Sequence, residues 1–188
     1  MKNYFTIALV CVSTLISCKN EVKIEDENTQ KEVAKTDLMT ANNDFKYSLA
    51  QWSLHKPFLD GSMDPMDFAV IAKDLGYTGL EYVTQLYPQV QDKANYRETV
   101  MALAAELKKR SDAAGMQNVL LMVDNDGELA DPDPTKRAEA IKTHKIWMDA
   151  AALMGAHSIR ANLFGELDPE KWHTISVASL KELAEYGK

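Results

Sequence analysis

From Phe45 onward, short apolar runs alternate with longer stretches in which apolar residues recur every three or four positions, so strands and helices are expected to take turns. Tyr47 to Ser53 reads as the first strand. Asp64 then offers an N-cap and Pro65 an N1 residue, and Phe68, Ile71, Ala72 and Leu75 follow at i, i+3, i+4 and i+7 until Gly76 closes the helix. Gly79 to Val83 is the second strand. A helix from about Tyr96 carries Val100, Leu103, Ala104 and Leu107 on one face and stops at Gly115. Val119 to Val123 is apolar throughout, as a strand covered on both faces should be. After the loop Asp124 to Asp133, a long helix opens at Pro134, with Ala138, Ile141, Lys145, Met148 and Ala152 sharing a face and the Lys145 stem lying along it, and ends at Gly155. Ser158 to Leu163 is the fourth strand. Asp168 and Pro169 open a last helix with Leu180, Leu183 and Ala184.

The strands begin near residues 47, 79, 119 and 158, the spacing of successive βα units, which predicts an α/β fold with a parallel sheet. Neither G-x-G-x-x-G nor G-x-x-x-x-G-K-[ST] occurs at a strand-to-helix turn, so a nucleotide-binding open sheet has no support. The other parallel solution is the (β/α)8 TIM barrel, which takes about 250 residues and of which about four βα units are present. Half a barrel leaves its first and fourth strands as edges, which predicts low stability or association of copies into a homo-oligomer.

The 188 residues carry 21 Lys+Arg against 28 Asp+Glu, a net charge of −7, and no basic cluster. This balance argues against nucleic acid and for a small-molecule ligand. Both cysteines lie in the first 18 positions. Lys2 precedes an apolar stretch from Tyr4 to Ile16, suited to a signal-peptide core and too short to span a bilayer. Leu15-Ile16-Ser17-Cys18 resembles the lipobox of bacterial lipoproteins. The resemblance implies a signal peptide over 1–17, lipidation of Cys18 and a membrane anchor in the cell envelope, facing the periplasm or the exterior. A plain secretory signal with a chance cysteine is the other reading. Residues 18–44, rich in Glu, Lys, Asp, Asn and Thr, read as a flexible tether to the domain at 45–188.

Three segments carry a further likeness: Leu49-Ala50-Gln51-Trp52-Ser53-Leu54, Leu75 to Val83 (LGYTGLEYV), and Ala130-Asp131-Pro132-Asp133-Pro134 leading to Met154 to Asn162 (MGAHSIRAN). Together they resemble the sugar phosphate isomerase/epimerase family with the xylose isomerase-like TIM barrel. The resemblance implies a metal-dependent isomerase or epimerase acting on sugars or sugar derivatives, with Mn2+ or Mg2+ at the C-terminal mouth of the barrel. The family's metal ligands come from about the fifth strand onward, so none is assigned within these 188 residues. A non-catalytic carbohydrate-binding lipoprotein is the alternative. A related DNA-repair endonuclease would want a basic groove, which the charge does not offer.

Residues at strand C-terminal ends are the site candidates, because that rim of a barrel is the functional one. Gln51, Trp52 and Ser53 end the first strand, where an indole suits a sugar ring and polar neighbours suit hydroxyls. Glu81 interrupts an apolar run and needs a cation, a hydroxyl or another hydrogen-bond partner; a salt bridge with Arg160 and a sugar contact both fit. Asp124 closes the third strand, and the acidic loop after it reads as a turn at Gly127 rather than a calcium loop. Arg160 and Asn162 alternate on the fourth strand and share a side, as substrate ligands or as an internal ion pair. His55 is the histidine near the mouth and a candidate acid/base with Glu81, whereas His144 is expected at the surface of its helix and His157 at the opposite rim.

Overall fold

The computed structural model describes residues 45–90 and 94–188. The expected signal peptide, Cys18 and the tether lie outside them. Four strands, β1 (Ser48–Ala50), β2 (Gly79–Val83), β3 (Gln117–Val123) and β4 (Ser158–Ala161), form one parallel sheet in the order β1-β2-β3-β4. The helices are α1 (His55–Leu59), α2 (Phe68–Asp74), α3 (Tyr96–Ala114), α4 (Pro134–Met154) and α5 (Pro169–Tyr186). Consecutive strands pair side by side in parallel and α2 to α5 each follow one of them, which is the unclosed (β/α) arrangement expected from the repeat.

Local chemistry places the helix starts. The Asp64 carboxylate accepts from the Met66 N–H at 2.8 Å, although the first turn, Pro65–Asp67, is 3-10 before α2 begins. Asp133 accepts from the Thr135 and Lys136 N–H groups at 2.8 and 3.4 Å, and those bonds hold its carboxyl below the ordinary range. Asp168 caps α5 in the same way, through Glu170 and Lys171.

Strand side chains alternate between two faces. Leu49, Leu80, Tyr82, Leu121 and Val123 are buried and cluster with Phe68 and Ala72 of α2, Val100, Leu103 and Leu107 of α3, and Trp147, Ala150 and Ala151 of α4. The pairs Ala50↔Glu81, Glu81↔Leu120, Leu120↔Ser158 and Met122↔Arg160 set the other face, the barrel interior. A smaller cluster, Leu129, Ala140, Ile141 and Leu183, lies under the loop between β3 and α4.

Several expectations change. The first strand stops at Ala50, and Gln51–Leu54 forms a 3-10 turn into α1, a short helix not read from the sequence. Gln51 turns inward there and bonds to three different segments, which a straight strand would not permit. The buried face of α4 passes through Ala140, Thr143, His144, Trp147, Ala151 and Met154, while Ala138 and Ala152 are exposed, because α4 packs on α3, α5 and the sheet at once. His144 is therefore a core residue, not a surface one: its Nδ1–H donates to the Ala140 carbonyl at 2.7 Å, and burial lowers its pKa. Lys145 behaves as expected, reaching Glu182 at 2.7 Å across the Tyr186 ring. On α5 the buried positions are Ser176, Ser179 and Leu183, so Leu180 is left exposed. Leu75 lies past the end of α2 and is exposed as well. The fourth strand ends at Ala161, and the chain then passes Gly165, whose φ of 137° and closeness to the Ala130 carbonyl carbon, 2.3 Å from where a Cβ would stand, exclude any side chain.

Candidate active site at the strand ends

The C-terminal ends of the four parallel strands share one rim, and a cleft of about 600 Å3 opens there on the interior face of the sheet. Its lining includes Trp52, Ser53, Glu81, Asp124 and Arg160, five of the residues singled out from sequence. Each arrives from a different local rule. Trp52 and Ser53 are carried by the turn after β1. Glu81 and Arg160 occupy interior positions of β2 and β4, and Asp124 is the first residue past β3.

Asp124 is the hub. Arg160 Nη2 donates to both of its carboxylate oxygens at 2.7 Å, and Asn162 Nδ2 donates to Oδ1. The Thr84 hydroxyl fixes its backbone from the other side, accepting from the Asp124 N–H and donating to the Asp124 carbonyl, both at 2.9 Å. Arg160 thus pairs with Asp124, not with Glu81. Glu81 instead takes the hydroxyl partner, Ser48 Oγ. The reason is strand order: Ser48, one layer below Glu81, is on the neighbouring strand β1, while Arg160, one layer above, is two strands away on β4.

Three candidates are not in the lining: Asn162, which stays bonded to Asp124, and Gln51 and His55, which turn elsewhere. Gln51 is fully buried, its amide nitrogen donating to the Tyr87 hydroxyl at 2.8 Å and the Pro65 carbonyl at 3.3 Å while its oxygen accepts from the Val83 N–H at 3.0 Å. With both ends engaged it is a strut beneath the rim, not a sugar contact. His55 is not a lining residue; its ring stacks on Trp52 at 4.4 Å and 13°, and its Nδ1–H donates to the Trp52 carbonyl at 2.6 Å. The pair leaves one indole face available and Trp52 partly exposed.

Sequence reasoning missed the groups that hold the rim in place. Thr84 and Ser48 could have been found as polar residues at or next to interior strand positions. The third support is a buried network behind Asp124. The Trp147 Nε1–H donates to Asp126 Oδ2 at 2.8 Å and lies 2.9 Å from the Tyr96 oxygen, the Tyr96 hydroxyl bonds Asp126 Oδ1, and Thr143 Oγ1 bonds the Asp126 carbonyl at 2.8 Å. Gly127 turns the loop there with φ 89°, in a space where a Cβ would lie 2.8 Å from that of Ala140. A larger cavity of about 910 Å3 lies between the first halves of α3 and α4, outside the barrel interior. The smaller cleft is the better candidate because it lies at the functional rim and gathers the interior charged residues.

No group of three or more His, Cys, Asp and Glu side chains among the described residues is placed to hold a metal ion. Glu81 and Asp124 are each engaged elsewhere, so this half of the mouth does not fit a cation cage.

Residues 69–188 match the family model described as xylose isomerase-like TIM barrel, and the chain belongs to that family. No curated protein matches it. Among solved structures it is similar to a D-psicose 3-epimerase crystallised in the presence of D-fructose, with TM-score 0.55 and 13% identity over 76% of this chain and 48% of that one. A D-psicose 3-epimerase with D-tagatose from Clostridium cellulolyticum H10 gives TM-score 0.55 and 16% identity, with the same coverages of 76% and 48%. A sugar phosphate isomerase/epimerase from Anabaena variabilis, so titled as a provisional assignment, gives TM-score 0.55 and 15% identity over 77% and 51%. At these identities the likeness is one of fold, and the chain spans about half the length of each of these structures.

Proposed function

We propose that the cleft is the first half of the mouth of a sugar isomerase or epimerase, held outside the cytoplasm by a lipid on Cys18. The observation that carries the reading is the gathering of Trp52, Ser53, Glu81, Asp124 and Arg160 at the C-terminal strand ends of a xylose isomerase-like barrel. The free face of Trp52 offers a platform for the apolar side of a sugar ring, with His55 bracing the other face. Ser53, Glu81 and the Asp124–Arg160–Asn162 cluster supply donors and acceptors for hydroxyls, fixed in place before the ligand arrives. Glu81, with its Ser48 partner, is the carboxylate in position to exchange a proton with a bound sugar. A divalent cation, Mn2+ or Mg2+, belongs to the proposal for a complete barrel, where it would polarise the sugar oxygens. Its ligands are not among the residues described.

The test is ligand-detected NMR on the purified chain with D-fructose and other ketohexoses, followed by turnover in D2O with added Mn2+ or Mg2+. Binding that is lost in Trp52→Ala is expected. Absence of binding to any sugar would sink the reading. Turnover by these residues alone would overturn the expectation that essential ligands lie in later strands, and binding with no turnover even in a complete barrel would turn the reading to a carbohydrate-binding lipoprotein. Mass spectrometry of the mature N-terminus at Cys18 tests the anchor.

A further inference from the structure

We propose that two copies of this chain close on each other into one eight-stranded barrel, with β4 of each copy pairing beside β1 of the other. The proposal does not depend on what the cleft binds. β1 and β4 are the two edges of the four-stranded sheet, and among the described residues each pairs with a neighbour on one side alone. Their outer rows of N–H and C=O groups are a template for a further strand. Exposed apolar side chains follow the same two flanks. Among the described residues the large ones fall within 45–75 and 164–186, with Leu153 alone between them. The central helix α3, packed between α2 and α4, carries none. On α5, Val177, Leu180 and Ala184 are exposed at i, i+3 and i+7, away from Glu182 and Tyr186, which meet α4 through Lys145 and Asp149. At the other flank, Phe45 and Tyr47 are exposed where the chain enters β1.

The interior face needs a cover as well. α2 to α5 pack on the outer face, through Leu49, Leu80, Leu121 and Ala161, and a parallel sheet is normally covered on both. Whatever completes this surface must bring a parallel strand to each edge, an apolar flank to each flank and a facing layer for the interior. A second copy brings all three. A two-fold axis along the barrel sets β4 against β1 in the parallel sense at both seams, so the contact is isologous and leaves no edge from which a filament could grow. Four strands and four make eight, the number at which a parallel barrel closes with its interior filled by side chains. The other two-fold, β4 against β4, would be antiparallel, would put the two clefts on opposite rims and would leave both β1 edges open. Closure also completes the site, because each cleft gains across the mouth a second Trp52, Glu81, Asp124 and Arg160.

The test uses the full chain with Cys11→Ser and Cys18→Ser, which removes both native thiols. Sedimentation equilibrium should give twice the 21.0 kDa of one chain. Tyr47→Cys and Leu180→Cys are then added singly and together, and a short bismaleimide is supplied. Both side chains are exposed and lie on opposite flanks of one copy, so the changes remove no buried contact and cannot be linked within a chain. The double variant should be trapped as a covalent dimer that grows no further, and each single variant should link no more than the thiol-free parent. A monomer in sedimentation would overturn the proposal. So would a dimer trapped by Leu180→Cys alone, in which like edges meet, or a ladder of larger products, in which copies add without closing. A dimer that the double variant fails to trap would mean that the copies associate elsewhere, through residues 1–44 for instance, and would overturn it too.

Discussion

On the helix-covered side of the sheet, Asp126, Tyr96 and Trp147 are buried together and bonded to one another between α3 and α4, with Tyr96 and Asp126 in the wall of the larger cavity. On the interior side, Glu81, Asp124 and Arg160 are also bonded, but they line an open cleft, and the Arg160 side chain is 46% exposed. Both sets hold a carboxylate against N–H donors, and Asp124 and Asp126 are two residues apart on one loop. The difference is solvent. Where the side chains are buried, an unmet donor loses most of its hydration and the network works as a fastener. Where water enters, the same bonds contribute little to the fold and stay exchangeable for those of a ligand. Fastening the start of the loop after β3 at Asp126 holds Asp124, two residues before it, in place at the cleft.

The largest break in this comparison is expected at Trp147. Trp147→Phe keeps most of the ring volume but removes the Nε1–H that Asp126 Oδ2 and the Tyr96 oxygen share, and should cost about 3 kcal/mol in chemical denaturation. Burial and the Asp126 carboxylate both push the Tyr96 hydroxyl pKa well up, so the group stays neutral and does not rescue the network by ionising. A loss below about 1 kcal/mol would show that the fastener is not one.

Gln51→Ala comes next. It strands the buried Val83 N–H and removes a donor from the Tyr87 oxygen, whose hydroxyl keeps the Pro65 carbonyl, and a loss of about 2 kcal/mol is expected in the same measurement. If Gln51 were a sugar ligand instead, the variant would lose binding without losing stability. That separation is the reason to make it.

His144 sharpens the comparison through pH. Desolvation lowers its folded pKa below the model-compound 6.5, so between the two values the unfolded chain binds more protons than the folded one. Stability should therefore be fully present above about pH 6.5 and fall as the pH drops below it. His144→Gln should flatten the dependence of the melting temperature on pH between 7.5 and 5.5. An unchanged slope would place the titration elsewhere.

Alternation and spacing made the frame legible. The apolar run of β3, the starts of α4 and α5 at Asp-Pro pairs and the stops at Gly115 and Gly155 are local rules that the packed structure does not override. Glu81 and Asp124 were legible as candidates for the cleft, one a carboxylate that interrupts an apolar strand and the other the residue that closes one. Their partners were not, because a partner depends on register. Ser48 meets Glu81, and Arg160 meets Asp124, only once four strands are aligned to within one residue. His144 was misplaced because α4 is covered on several sides, so a single stripe of helical period does not show which arc is buried. Gln51 was misread because a strand that breaks into a 3-10 turn reverses which way the next side chain points.

The smallest effect on the fold is expected from Arg160→Met, and it is the sharpest test of the open side. Methionine keeps much of the stem and removes the charge, leaving Asp124 with Asn162 and with water, which the cleft admits. The pair is open to solvent on its Arg160 side, and an ion pair so placed contributes about 1 kcal/mol or less, so the melt should change little. Sugar binding should weaken all the same, because Asp124 loses the donor that orients its carboxylate and the ring loses the guanidinium as a hydrogen-bond donor. A variant that unfolds would mean that the Arg160–Asp124 pair is a fastener like Trp147–Asp126. A variant that is both stable and unimpaired in binding would mean that the interior charges serve neither the fold nor the ligand, and the contrast between the two sides would fail at its chemical end.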